Sequence, residues 1–277
     1  MKIRAGFTLG YDSAQPTPML LALNIHPSRR ADLLTDQVLT FDGPFNGPVE
    51  ARHYIDGFGN SCSRIVAPAG LLTISTAFEI YDSGQADVTA EDAVQHDIKD
   101  LPDDVLVFLL GSRYCDTDRL SDFAWSHFAA TSPGWKRVQA ICDFVHGHIA
   151  FDYQKADAQR TAHGGYTDRT GVCRDFAHLA ITLCRCMNIP ARYCTGYLGD
   201  IGIAPLPEPM DFSAWFQVYL GGTWYTFDAR HNTPRIGRIL MATGRDATDV
   251  ALTTSFGASR LAQFTVVTDE IVDATPI

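Results

Sequence analysis

Cys173 follows Gly171-Val172 and opens the run Arg174-Asp175-Phe176-Ala177-His178. From there the apolar positions Phe176, Leu179, Ala180, Leu183 and Met187 recur three and four residues apart, which is the spacing of one face of an α-helix. The thiol therefore falls in or just before a first helical turn. N–H groups with no intrahelical acceptor, together with the positive end of the helix dipole, favour an anion there. They lower a thiol's pKa toward the nucleophilic thiolate and offer donors to an oxyanion. The chemistry this suits is attack on a carbonyl carbon.

A carboxylate for such a site comes from later in the chain. Ser213 to Leu220, then Gly221-Gly222, then Thr223 to Asp228 reads as two β-prone runs around a two-residue turn. With the glycines as the loop, Leu220 faces Thr223, Trp215 faces Asp228 and Ser213 faces Arg230. Ser213 and Asp228 are then diagonal neighbours on one face. A cysteine at a helix start, packed against a hairpin that bears a base and its orienting carboxylate, is the layout of a papain-like triad.

These segments resemble the transglutaminase-like superfamily of papain-fold enzymes. Gly171 to Ala177, Cys184 to Tyr193 and Gly196-Tyr197 look like that family's nucleophile helix and following strand, and Ala214 to Leu220 with Thr226-Phe227-Asp228 match its hairpin. The β-rich first part resembles the N-terminal domain of bacterial transglutaminase-like proteins. The resemblance implies an α+β fold: an N-terminal antiparallel β-sandwich, then a papain-like core with the nucleophile helix packed on an antiparallel sheet. It makes Cys173 the nucleophile and Asp228 the carboxylate, and it places Ser213 where the catalytic histidine belongs. Serine cannot take a thiol proton near neutral pH as imidazole does.

Two histidines could substitute as the base. His231 lies three residues after Asp228 and can serve only if the strand ends at Asp228, because a continuing strand would turn it away. His163 lies in the glycine-containing loop before Cys173 and could fold over the site. His178 is five residues along the helix, about 140° round from Cys173, and points elsewhere. Trp215 is expected in the site wall, with its flat face along the acyl channel. The implied function is acyl transfer or amide hydrolysis on a peptide or glutamine-type amide, through a thioester at Cys173. The alternative is a catalytically degenerate binding module, motivated by Ser213.

The elements that must position these residues divide the chain in two. Lys2–Tyr11, Pro18–Ile25, Gln37–Phe41, Cys62–Ala67 and Leu71–Tyr81 read as strands between turn clusters. We expect a β-sandwich over residues 1–85, an acidic linker over 86–104 and the core domain over 105–277. Ser132-Pro133 announces a helix whose apolar face is Trp135, Val138, Ile141, Cys142, Val145 and Ile149, ending near Ala150. A strand follows at Ala191–Tyr197, then a proline-rich turn over Pro205–Pro209.

Composition narrows the function. A formal net charge of −10 opposes nucleic-acid and anionic-membrane surfaces, and no apolar stretch is long enough to span a bilayer. Seven cysteines without scaffold spacing, and an N-terminus lacking a secretory apolar region, suggest a cytoplasmic protein. No cofactor or metal is expected. Cys184 and Cys186 lie about 200° apart on a helix, His146 and His148 likewise diverge, and the Asp116, Asp118 and Asp122 run lacks a calcium loop's glycine and terminal glutamate. The partner expected is a peptide or protein amide, and the sequence is silent on oligomeric state.

Overall fold

The computed structural model describes residues 1–205 and 209–272, so the middle of the expected proline-rich turn lies outside the described residues. The first part consists of β1 (Lys2–Ser13), β2 (Thr17–Leu21), β3 (Thr40–Asp42), β4 (Arg52–Ile55), β5 (Ser61–Ala67) and β6 (Gly70–Tyr81). Alternation decides which face is buried: Ile3, Ala5, Phe7 and Leu9 of β1 pack with Leu72, Ile74, Phe78 and Ile80 of β6. The second part opens with α1 (Thr117–Phe128), α2 (Trp135–His148), β7 (Ala150–Phe151), α3 (Ala162–Asp168), β8 (Thr170–Gly171) and α4 (Cys173–Cys186). Then follow β9 (Ala191–Leu198), β10 (Ser213–Leu220), β11 (Thr223–Phe227), β12 (Arg238–Gly244), β13 (Thr253–Ser255) and β14 (Ser259–Ile271).

Two four-stranded sheets, ordered β14-β1-β6-β3 and β13-β2-β5-β4, share one apolar core. A third antiparallel sheet, β11-β10-β9-β12, lies between that core and the helices. Phe216, Val218 and Leu220 of β10 join Leu179 and Leu183 of α4 on one side. On the other, Tyr197, Ile239 and Met241 enter the β-rich core, where Tyr197 lies 5.8 Å from Phe78 and 5.2 Å from Phe212, ring to ring. The expected α+β class, with a helix packed on an antiparallel sheet, is what forms. Among the described residues no helix is long and apolar enough to cross a membrane.

The expected division of the chain does not hold at its far end. β13 pairs with β2, and β14 pairs with β1 from Lys2↔Ile271 to Ser13↔Ser259, so the β-rich unit is completed by residues assigned to the core over 105–277. Only Val266 and Thr268 of β14 are buried, and nothing local marks a partner at the opposite end of the sequence.

The acidic stretch over 86–104 is a strap rather than a free connector. Trp135 donates its N–H to Ala93 O (3.1 Å), Gly221 donates to Val94 O (2.9 Å), and Gln95 Nε2 reaches Met187 O (2.8 Å). Gly134 caps α2 at φ 91°, and a Cβ there would collide with the Ala93 carbonyl, so the strap and this helix start require glycine.

Candidate active site

The start of α4 is built from both sides. β7 and β8 pair in parallel, setting Phe151 opposite Gly171, after which Val172 is extended and acts as the N-cap. Valine has no side-chain oxygen to cap with. Asp175, 1% exposed, reaches back instead: its Oδ2 accepts from the Val172 N–H (2.9 Å) and from Arg160 Nη1 (3.2 Å). A Cβ on Gly171 would lie 2.5 Å from that oxygen and 2.7 Å from the Asp175 Cβ. Gly171→Ala is therefore expected to destabilise the fold by about 1–3 kcal/mol, read as a lowered thermal midpoint, and to slow alkylation of Cys173 as the helix start shifts.

Cys173 is partly exposed, whereas the other six cysteines are buried. It opens into a cleft of about 550 Å³ whose lining includes Tyr114, Arg174, Tyr193, Asp211, Ser213 and Phe264. Burial pushes the thiol up to about 11, against the opposing pull of the Arg230 charge and the Ala214 backbone N–H. Asp211 and Asp228 push it the same way as burial. Burial and these two carboxylates therefore work against the helix start, from which a lowered thiol was expected.

The hairpin has the expected register, Leu220↔Thr223 through Phe216↔Phe227, and its pairing stops there. Asp228 thus leaves the strand and folds the next residues back on itself. Its Oδ1 accepts from the N–H groups of Arg230 (3.0 Å) and His231 (3.1 Å), while Oδ2 lies 2.8 Å from His231 Nδ1 and 2.9 Å from Arg238 Nη2. The condition for His231 is met, because the strand ends before it. With Nδ1 directed at a carboxylate, that nitrogen carries the proton and Nε2 is left as the basic atom. Burial pushes the Asp228 carboxyl up, but Arg238 and then His231 outweigh it and hold it well below the usual carboxylate range.

Ser213 lies between the two groups. It lines the Cys173 cleft and also a cavity of about 40 Å³ that it shares with Asp211, Phe212, Arg230 and His231. The residue is 7% exposed, and its Oγ has no hydrogen-bond partner among the described residues. Residues 211–213 therefore form a wall common to the thiol's cleft and the imidazole's cavity.

The remaining expected site residues go elsewhere. His163 lies on α3 rather than in a loop; its N–H donates to Asp116 Oδ1 (3.0 Å), and it lines neither cavity. His178 is fully buried and pushed down to about 3 by burial, accepting at Nε2 from the Ala247 N–H. Trp215 is 2% exposed and does not wall the cleft. It lies within the sheet beside a separate cavity, where the Arg238 guanidinium sits 5.0 Å from its ring and bonds Asp87 at 2.9 Å. Among the described residues no three His, Cys, Asp or Glu side chains converge on a common metal position.

Two side chains of this site escape the sequence reading. Arg238 looks like an ordinary surface cation in one dimension, and Asp211 sits in a stretch with no periodicity. An available signal was Asp228 itself, since an aspartate at a strand end readily accepts from the N–H two residues on and so turns the chain.

A family model described as the transglutaminase-like superfamily matches residues 126–229, which span α4 and the hairpin. The crystal structure of a "putative cysteine protease" from Cytophaga hutchinsonii is 30% identical, with a TM-score of 0.81 over 100% of this chain and 93% of that one. The chain belongs to the transglutaminase-like superfamily. Its papain-like core is the family's general cysteine-enzyme architecture. The periplasmic domain of TgpA from Pseudomonas aeruginosa is more distant, at 13% identity and a TM-score of 0.40 over 82% of this chain and 88% of that one. An uncharacterized protein of Mycobacterium leprae, ML0607, is 39% identical over 84 residues, which are 29% of this chain and 30% of that protein.

Proposed function

We propose that this transglutaminase-like protein is a cysteine-dependent acyl transferase or amidase acting on a peptide or protein amide, with Cys173 as nucleophile and His231, oriented by Asp228, as base. The observation that carries this reading is the 2.8 Å contact between His231 Nδ1 and Asp228 Oδ2, which supplies an oriented imidazole although position 213 is serine. His231 Nε2 takes the thiol proton and the sulfur adds to the amide carbonyl. First-turn N–H groups of α4 stabilise the oxyanion. The same imidazole returns the proton to the departing amine, and water or a second amine then resolves the thioester.

Iodoacetamide labelling with peptide mapping tests the nucleophile. Cys173 is expected to be alkylated before every other thiol, and Cys173→Ala to abolish both that label and release of amine from a glutaminyl-peptide amide. Labelling no faster than that of buried Cys184 would sink the reading. A degenerate binding module is the second reading, favoured by the unpartnered Ser213 Oγ. In that case the wild type releases no amine and Ser213→His creates the activity. Seven unpaired thiols suit a reducing compartment, and we propose a cytoplasmic location on that ground.

A further inference from the structure

A catalytic imidazole performs two tasks for a thiol: it takes the proton, and as imidazolium it balances the charge left on sulfur. Here the position beside Cys173 that would perform both is Ser213, and the second task falls to another residue.

Arg230 follows Asp228 by two residues, and its backbone is held from both sides. Its N–H donates to Asp228 Oδ1 (3.0 Å), and His146 Nδ1 lies 2.9 Å from its carbonyl. The guanidinium is placed with equal care. It lies 3.8 Å from the centre of the Phe151 ring, and Arg230 lines one cavity with Tyr153. Phe151 pairs with Gly171, two residues before the nucleophile, so this anchoring puts the cation beside the turn that presents the sulfur. Arg230 also lines the small cavity with Ser213 and His231. A guanidinium stays charged at every pH the protein meets and cannot act as a base.

We propose that Arg230 is the fixed countercharge of Cys173, so that the two tasks of one imidazolium are divided between His231, which moves the proton, and Arg230, which balances the thiolate. This rests on Cys173 being the nucleophile, as proposed above. In the first step the S–H bond breaks, an N–H bond forms at His231 Nε2, and the negative charge stays on sulfur opposite Arg230. No further reactant is required. The other ionisable groups around the sulfur are Asp211 and Asp228, which oppose the thiolate, Tyr153 and Tyr193, the Arg174 guanidinium that lines the same cleft, and His231 as the proposed base. Arg230 favours the ionised thiol against burial.

The test is the pH dependence of Cys173 alkylation in the full chain, read by mass spectrometry of the Cys173 peptide. Arg230→Met is expected to slow alkylation roughly tenfold on the acid side of the profile, which is a midpoint about one pH unit higher. Arg230→Lys, which keeps the charge, is expected to recover most of that loss, and Asp211→Asn to shift the profile the opposite way. A purely structural arginine would not give this pattern. The proposal is overturned if Cys173 remains the fastest thiol and neither variant moves its profile, or if Lys fails to restore what Met removes in a chain with unchanged circular dichroism. Failure of the nucleophile reading is recognised separately, by wild-type Cys173 reacting no faster than Cys184.

Discussion

His231→Ala is expected to lower the turnover of amide cleavage by roughly 100- to 10,000-fold, the range over which a positioned general base acts. The loss follows on the proposed reading because burial pushes the Cys173 thiol up, to about 11, which makes a neighbouring group that takes the proton the more important. The variant leaves Asp228 bound to Arg238 and to two backbone N–H groups, so the turn that carries it keeps most of its support. A double variant sharpens the test. Adding Ser213→His to His231→Ala puts an imidazole on the shared wall and frees Asp228 Oδ2 to orient it, and is expected to restore at least tenfold of the lost rate. Steady-state kinetics on a glutaminyl-peptide amide measure both effects. Activity within a few-fold of wild type in His231→Ala would remove His231 as the base.

Arg238→Met is expected to destabilise the fold by about 3–5 kcal/mol, because it leaves buried charge without its partner. Arg238 bonds Asp87 and Asp228 at 2.9 Å each, with side-chain exposures of 8% for the arginine and 3% for Asp228. The pH dependence gives a check on the cause. Asp228 has a folded-state pKa depressed below its unfolded value, so its contribution is fully present above the unfolded carboxylate range of about 4 and is lost as the pH falls through the folded value. The gap between wild type and variant in urea unfolding should therefore be full at pH 7 and narrow below about pH 4. A gap that stays constant through acid would show that lost packing on Trp215, rather than the ion pairs, accounts for the cost.

The parts of this molecule that were legible in sequence are those set by short-range rules. The helix after Cys173 follows from the spacing of its apolar residues, and the hairpin register follows from two glycines that fix its loop. What the sequence concealed depends on distant partners. Whether His231 faces Asp228 is decided by where β11 stops, and that is set by the side chain of Asp228 capturing two N–H groups and Arg238. The pKa of Cys173 could not be read from its helix position either. Burial and the charges of Asp211 and Asp228 push the thiol up against the helix start, and no local pattern announces those neighbours. The domain boundary failed for a related reason, since β14 is a strand by composition but its partner β1 lies at the other end of the chain.

The pairing of β14 with β1 also has a consequence in time. Thr254 and Phe264, which wall the Cys173 cleft, belong to the strands that close the β-rich unit. During translation Cys173, Asp228 and His231 all leave the ribosome before Phe264 does, and β1 waits for the partner that covers its open edge. Pairing across so long a separation in sequence is among the slower events in folding. If Cys173 is the nucleophile proposed above, its cleft is thus unfinished until β14 has been made, and the order of synthesis would itself delay activity.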